Sequence, residues 1–185
     1  MLIAEMEVSM TVDARHSPNR EDFSRGSDMV SLMQGKWNEL YKIKMGQIGR
    51  KDLSHLFNVN LGTFTESFNM DWAKQNYDYK FANQVPFKKQ YGSINLQGTL
   101  DGYDYENNIL IECKHTHSRN DMETVIDFYM PQIQFYMYLS NAKQGLLSVI
   151  FGNTYDAVVV DASDEYQTLM LDRIKMFWEC VVHGD

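Results

Sequence analysis

The stretch Gly98–Lys114, GTLDGYDYENNILIECK, restricts the possible folds more than any other part of the chain. Ile109-Leu110-Ile111 is an apolar run of the kind that fills a buried strand, and it stops abruptly at Glu112-Cys113-Lys114. Side chains two apart in a strand share a face. Glu112 and Lys114 therefore project together, and Cys113 points the other way as a small core residue. A turn at Asp101-Gly102, or at Tyr103-Asp104 just after it, lets the preceding strand fold back as a hairpin and sets Asp101 beside Glu112. Two carboxylates and one lysine meeting at a strand end suit a hard cation with a proton-handling neighbour.

Periodicity places the rest. Residues 1–26 read as a polar, partly mobile N-terminal segment with a turn at Ser17-Pro18-Asn19. From an N-cap at Ser27-Asp28, a helical pattern of Met29, Leu32, Met33, Trp37, Leu40 and Tyr41 follows, weakened or divided at Gly35 and closed by Gly46 and Gly49. A second helix is expected over 63–76, with Phe64, Phe68 and Trp72 on its apolar side and Thr65 and Glu66 beside it. Residues 79–89 read as an extended edge segment because of Pro86. Strands are expected over 94–99, 108–115, 146–151 and 157–160, the last two joined at Gly152-Asn153. Helices are expected over 122–141, with Pro131 kinking it or standing in a first turn, and over 163–181 through Leu169, Ile174, Phe177 and Val181. The order gives a single α/β domain over 1–185.

At 185 residues, 44% hydrophobic and 23% charged, the chain has the composition of an ordinary globular domain. It has no apolar run of membrane-spanning length and no basic-then-apolar leader, so no membrane partner and an intracellular, cytoplasmic location are expected. Two cysteines, Cys113 and Cys180, exclude a disulfide framework and a four-cysteine cluster. A net charge of −8 argues against binding nucleic acid over a broad open surface. It does not argue against a confined groove whose carboxylates are neutralised by cations. The densest basic cluster, Lys42, Lys44, Arg50 and Lys51, suits either a nucleic-acid backbone or a solvated face. His115 and His117 lack the third histidine or paired cysteine of a zinc site, which leaves them for substrate or loop contacts.

Asp101 followed after a gap by Glu112-Cys113-Lys114 resembles the core motif of the PD-(D/E)XK nuclease superfamily, an acidic residue and then (D/E)-x-K. Two further segments sharpen the resemblance. Tyr129-Met130-Pro131-Gln132-Ile133-Gln134-Phe135 is similar to the Tyr-x-x-Gln-(Val/Ile)-Gln-aromatic helix of lambda-exonuclease and YqaJ-type nucleases. Gly62-Thr63-Phe64-Thr65-Glu66 is similar to the helix that carries a fourth acidic residue in the same group. Arg20 and Ser27 match the spacing that these exonucleases use around a 5′-phosphate. No proline precedes Asp101, a position that varies widely in the superfamily.

The resemblance implies a restriction-endonuclease-like core, a central mixed sheet flanked by helices. It implies a Mg²⁺-dependent deoxyribonuclease, with Mn²⁺ substituting and one or two ions bound. Asp101, Glu112, the Cys113 backbone carbonyl and Glu66 would be the metal ligands. Lys114 would orient or deprotonate the attacking water, and Gln132 would face the lysine or the scissile phosphate, with Tyr136 one turn away on the same side. Arg20, Ser27, Tyr136 and His115 would contact substrate. The expected activity is 5′→3′ digestion of one strand of linear duplex DNA from a 5′-phosphorylated end, leaving 3′ tails for recombination. A phage source, a trimer-like ring and a single-strand annealing recombinase partner would accompany it. The alternatives are a structure-specific or nicking endonuclease, a single-strand exonuclease, a catalytically inactive DNA-binding module, or a hydrolase of small phosphoesters. Each motif also has a plainer reading: Glu66 as a surface glutamate, and Gln132 as a partner for backbone groups beside Pro131.

Overall fold

The computed structural model describes residues 23–184. Arg20 and most of the N-terminal segment expected over 1–26 lie outside the described residues. The elements are α1 (Gly26–Met33), α2 (Trp37–Lys44), α3 (Phe57–Asn76), β1 (Ala82–Tyr91), β2 (Ile94–Asp104), β3 (Ile109–Thr116), α4 (Met122–Ser140), β4 (Gln144–Phe151), β5 (Thr154–Asp161) and α5 (Asp164–His183). The strands form one mixed sheet in the order β1-β2-β3-β4-β5, antiparallel except where β3 meets β4. A parallel pair needs a long crossover, and α4 provides it. This is the α/β class that the element order predicts, with the helix-flanked mixed sheet that the resemblance implies. Among the described residues no helix is long and apolar enough to cross a membrane.

Alternation along the central strands builds two cores. Leu110, Leu147 and Val149 face a large layer of Met29, Leu32, Ile133, Met137, Ile174 and Phe177 from α1, α4 and α5. Ile109, Ile111, Cys113 and Leu146 face the other way, against Met70 and Ala73 of α3. Burying these two faces is the main source of stabilisation.

Several sequence expectations shift. The first helical pattern is divided into α1 and α2 at Gly35, whose φ of +70° is cheap for glycine. The α1 N-cap is Arg25 rather than Ser27 or Asp28. Asp28 sits at the third helical position and accepts from the Arg25 N–H at 3.3 Å. Helix α3 begins at Phe57, not at residue 63, and its buried residues are Asn69, Met70 and Ala73. Phe64, Phe68 and Trp72 lie on its exposed side. The apolar stripe misled because the residue at the centre of the buried face, Asn69, is polar. On α5, Leu169 is also exposed, and Met170 and Leu171 are buried with Ile174 and Phe177. Helix α4 runs through Pro131, which is itself buried. Pro86 stands, as expected, in the edge strand β1.

The largest correction concerns the hairpin. Neither Asp101-Gly102 nor Tyr103-Asp104 is the turn: β2 continues through all four residues to Asp104, and the chain reverses over residues 105–108. Asp104 makes that reversal. Its fully buried carboxylate accepts from the Glu106 N–H (2.9 Å), the Asn107 N–H (3.1 Å), the Lys80 N–H (2.7 Å) and Asn107 Nδ2 (2.8 Å). Burial alone would raise its pKa, but the hydrogen bonds from Asn107, Lys80 and Glu106 outweigh burial and hold it below the ordinary carboxylate range. Replacing Asp104 with Ala removes the acceptor of three backbone N–H groups and should cost about 2–4 kcal/mol in urea unfolding at neutral pH. A depressed folded-state pKa gives stability that is present above the ordinary aspartate value of 3.8 and lost as pH falls through the folded value. The gap between wild type and Asp104→Asn should therefore narrow in acid.

Candidate active site

The site exists because two paired strands separate. β2 and β3 are joined only through Gly102–Ile111, Tyr103–Leu110 and Asp104–Ile109. Beyond those rungs β2 stays with β1, while β3 stays with β4 along its whole length. The far part of the freed β2 edge is taken by Ser24, whose N–H donates to the Asn95 carbonyl and whose carbonyl accepts from the Gln97 N–H, both at 3.0 Å. At the fork itself the Asp101 side chain stands in for the missing strand partner: its Oδ2 accepts from the Cys113 N–H at 2.8 Å. Asp101 and Glu112 are thus neighbours across the opening, as the sequence predicts, though the hairpin turn lies further along.

A cavity of about 270 Å³ fills the fork, lined by Arg25, Ser27, Glu66, Gln84, Asp101, Glu112, Lys114, Gln132 and Tyr136 among others. Glu112 is almost fully buried. Its Oε1 accepts from Lys114 Nζ and from Gln132 Nε2, the latter at 2.6 Å, while Oε2 is buried without a hydrogen-bond partner among the described residues. Lys114 Nζ lies 4.8 Å from the centre of the Tyr129 ring, a cation–π contact. Gln132 Nε2 also donates to the Tyr136 hydroxyl at 3.3 Å. The Tyr136 ring is held between α1 and β2 because both contacts are glycine: a Cβ at Gly26 or Gly98 would lie 2.6 Å from a ring carbon.

Burial, then the charges of Asp101 and Glu66, push the Glu112 carboxyl up to about 8, against the pull of Lys114. Burial would lower the Lys114 ammonium, but Glu112 and Asp101 outweigh it and hold it above its ordinary value. A Glu112 that took up a proton would give up part of its hold on Lys114, so the direction that stands is a lysine kept charged beside a carboxyl reluctant to ionise.

Glu66 reaches the cavity from α3, where its Oε1 accepts from Gln84 Nε2 at 2.7 Å. Gln84 lies in β1 opposite Asp101, on the one rung missing from the β1–β2 ladder, with φ at +53°. A left-handed backbone at a residue other than glycine stores strain, commonly at functional sites. Sequence reading missed Gln84, since nothing distinguishes it from a surface glutamine in an edge strand. It also missed Asn69. This buried side chain donates to the Lys114 carbonyl (3.1 Å) and the Ser148 carbonyl (2.9 Å) and accepts from Ser148 Oγ (2.7 Å). Asn69 thereby fixes α3, and with it Glu66, to the backbone of the lysine.

Ser27 lies at the α1 N-terminus on the cavity wall, and Arg25 joins it there, another residue the motifs did not indicate. His115 is turned away from the cavity. Alternation puts it on the α3 side of β3, where Nδ1 meets Thr65 Oγ1 at 3.0 Å. Gln134 is buried and ties the end of β5 to the start of α5 through Asp161, Ser163 and Gln167. In the basic cluster, Lys44 and Arg50 both pair with the buried Asp28, and Lys51 pairs with Glu39. Those three cations hold the fold or meet a surface carboxylate.

Among the described residues no three His, Cys, Asp or Glu side chains form a ready metal cage. The chemistry of the donors nonetheless fits a hard cation. Glu112 keeps an orphaned buried oxygen, and burial, followed by the charges of Asp101 and Glu66, raises its pKa; a divalent ion relieves that repulsion.

The chain matches no family model and none of the curated proteins. Among solved structures, it is similar to an alkaline exonuclease from Laribacter hongkongensis, with 13% identity and a TM-score of 0.69 over 89% of this chain and 90% of that one. The same enzyme in complex with dAMP aligns at 14% identity and a TM-score of 0.71 over 89% and 90%. A phage related exonuclease from Haemophilus somnus 129PT aligns at 12% identity and a TM-score of 0.66 over 86% and 93%. The chain therefore has the fold of these exonucleases, the fold that the resemblance implies.

Replacing Asn69 with Leu removes the side-chain donor to two strand carbonyls and leaves the Ser148 hydroxyl with Tyr155 alone, and should cost about 2–4 kcal/mol in urea unfolding. Because Ser148 shares the network, its change to Ala in the same chain should add less than its effect alone, a coupling that a double-mutant cycle measures.

Proposed function

We propose that the protein is a Mg²⁺-dependent DNA exonuclease that digests one strand of linear duplex 5′→3′ and leaves 3′ tails for recombination or DNA processing. One observation carries the reading: Asp101, Glu112, Lys114, Glu66 and Gln132, from β2, β3, α3 and α4, line a single cavity in a fold shared with exonucleases. Asp101, Glu112, Glu66 and the Cys113 carbonyl would hold the ion. When bound, it supplies charge neutralisation at the phosphoryl oxygens and a more acidic water.

The chain's own groups supply positioning. Lys114, held charged by Glu112 and Asp101, suits orienting the attacking water and offsetting developing negative charge more than taking its proton. Gln132 bridges Glu112 and Tyr136 and keeps the carboxylate aimed into the cavity. Ser27 and the backbone N–H groups at the α1 N-terminus suit a phosphate group of the substrate end, with the Arg25 guanidinium on the same wall. Arg20 belongs to this reading through the motif spacing alone. Enclosure of DNA by a ring of subunits, and hand-over of the 3′ tail to an annealing recombinase, would follow from the same resemblance.

End-labelled linear duplex with and without a 5′-phosphate, set against closed circles, tests the reading. Wild type with Mg²⁺ should release nucleotides from the 5′-phosphorylated end and leave circles intact. Lys114→Ala should lose about a thousandfold or more in rate, and Glu66→Gln roughly ten- to a hundredfold. Lys114→Ala cutting at the wild-type rate would overturn the assignment, and cutting of circles would make the enzyme an endonuclease.

The raised Glu112 carboxyl gives a second expectation. A folded-state pKa above the ordinary value means stability that is full in acid and lost as pH rises through about 8 in the metal-free chain. A cation must displace the Glu112 proton below that pH. The stabilisation by Mn²⁺, read as a thermal shift, should therefore grow with pH up to about 8 and then level off. It should be largely absent in Asp101→Asn.

A further inference from the structure

The β1–β2 hairpin has two faces of opposite character. The register pairs Val85 with Leu100, Phe87 with Gly98 and Lys89 with Leu96, and this side turns to the large core, where Lys89 Nζ bonds the Tyr138 carbonyl at 2.9 Å. The alternate rungs, Pro86–Thr99, Lys88–Gln97 and Gln90–Asn95, form the other side. A groove of about 520 Å³ runs along this arm, lined by Phe23, Lys88, Lys89, Gln90, Asn95, Leu96 and Gln97. Phe23, Lys88 and Gln97 also line the site cavity, so the two spaces adjoin.

Three observations give this groove an occupant. In a chain of net charge −8, its described lining holds no carboxylate; the outer side carries Lys88 and three amides, while the Lys89 ammonium is engaged on the core side. Lys51, Lys80 and Lys175 face carboxylates; Lys88, like Lys36, Lys42, Lys74 and Lys143, makes no ion pair among the described residues, and of these five it alone lines the groove. The arm also leads straight out of the fork. Lys88 lies four residues beyond Gln84, about 13 Å along the strand from the residue that holds Glu66.

We propose that this face of the hairpin is the track for the nucleic-acid strand that occupies the cleavage site, with Lys88 contacting a backbone phosphate away from the scissile one and the amides of Gln90, Asn95 and Gln97 hydrogen-bonding its neighbours. The proposal rests on the nuclease reading for the identity of the strand. Phosphate contacts of this kind add affinity and register without reading sequence.

Binding of uncleaved oligonucleotides of graded length, by fluorescence anisotropy without divalent ion, tests the track beside steady-state cleavage. Lys88→Glu should weaken binding to long strands by roughly fivefold or more and reduce the slope of log affinity against log salt by about one. Its effect on cleavage should fall on KM rather than kcat and fade on the shortest strands that are still cut. Lys175→Glu, which makes the same charge change but lines neither cavity, should have little effect. The track is overturned if Lys88→Glu matches wild type in affinity and salt slope, if Lys175→Glu produces the same loss, or if affinity does not grow with strand length. A wild type that binds strands in this way but cuts none would sink the nuclease reading and leave the track standing. A wild type that neither binds nor cuts overturns both.

Discussion

One hydrogen bond marks where the sheet becomes a site: the Cys113 N–H donating to the Asp101 carboxylate. Up to Gly102–Ile111 the two strands hold each other by backbone; past that rung a side chain does the holding. A main-chain N–H in a sheet interior needs an acceptor, and leaving it without one costs a few kcal/mol. Asp101 meets that need from β2, so β3 can run on beside β4 while β1 and β2 swing away as one arm. The opening would otherwise expose a row of unpaired backbone groups. Ser24 covers the far part of the freed β2 edge, and the Asp101 carboxylate covers the near part.

Two buried carboxylates on neighbouring strands show how far the surroundings decide chemistry. Asp104, at the end of β2, receives hydrogen bonds from Lys80, Glu106 and Asn107, and its pKa falls. Glu112, on β3 just past the last rung that joins the two strands, keeps one oxygen without a partner beside like charges, and its pKa rises to about 8. The first arrangement maximises stability. The second holds an acidic group in a condition that a cation, or a proton, improves. Gln84 adds to the same pattern, its left-handed backbone at φ +53° accepted where its amide must reach Glu66. The unfavourable features gather in the fork, and the well-satisfied ones lie under it.

Period-2 alternation is enough to place Glu112 and Lys114 on one face, and one helical turn is enough to bring Gln132 to Tyr136. The strands, the α4 helix and the edge position of Pro86 also follow from local pattern. The failures share a cause, which is that the deciding partner is distant in sequence or hidden from a hydrophobic pattern. Asp101-Gly102 has the composition of a turn, yet β2 passes through it because Asp104 supplies a better-capped reversal three residues on. Phe64, Phe68 and Trp72 form the more apolar stripe of α3, yet the opposite side is buried because Asn69 finds the Lys114 and Ser148 carbonyls. A polar residue at the middle of a buried face does not register as core in an apolar periodicity. Arg25 and Gln84 likewise gain their meaning only from the cavity they enter.

The chain's acidity stops being an objection once the charges are located. Lys44 and Arg50 neutralise Asp28 beneath the α1 N-terminus, and Lys114 partly offsets Glu112 and Asp101 inside the fork. What matters to a polyanion is the field along its path, and at physiological salt a charge more than about 8 Å away in solvent is largely screened. Along the outer face of the β1–β2 arm the described groove lining carries lysine and amide groups only as its polar side chains. Net charge is thus a poor guide to the field along this groove, because the described lining of the groove carries no carboxylate. The divergence of two strands accounts for both features: it creates the acidic cleft, and it frees an arm of sheet whose outward side is available to a phosphate backbone.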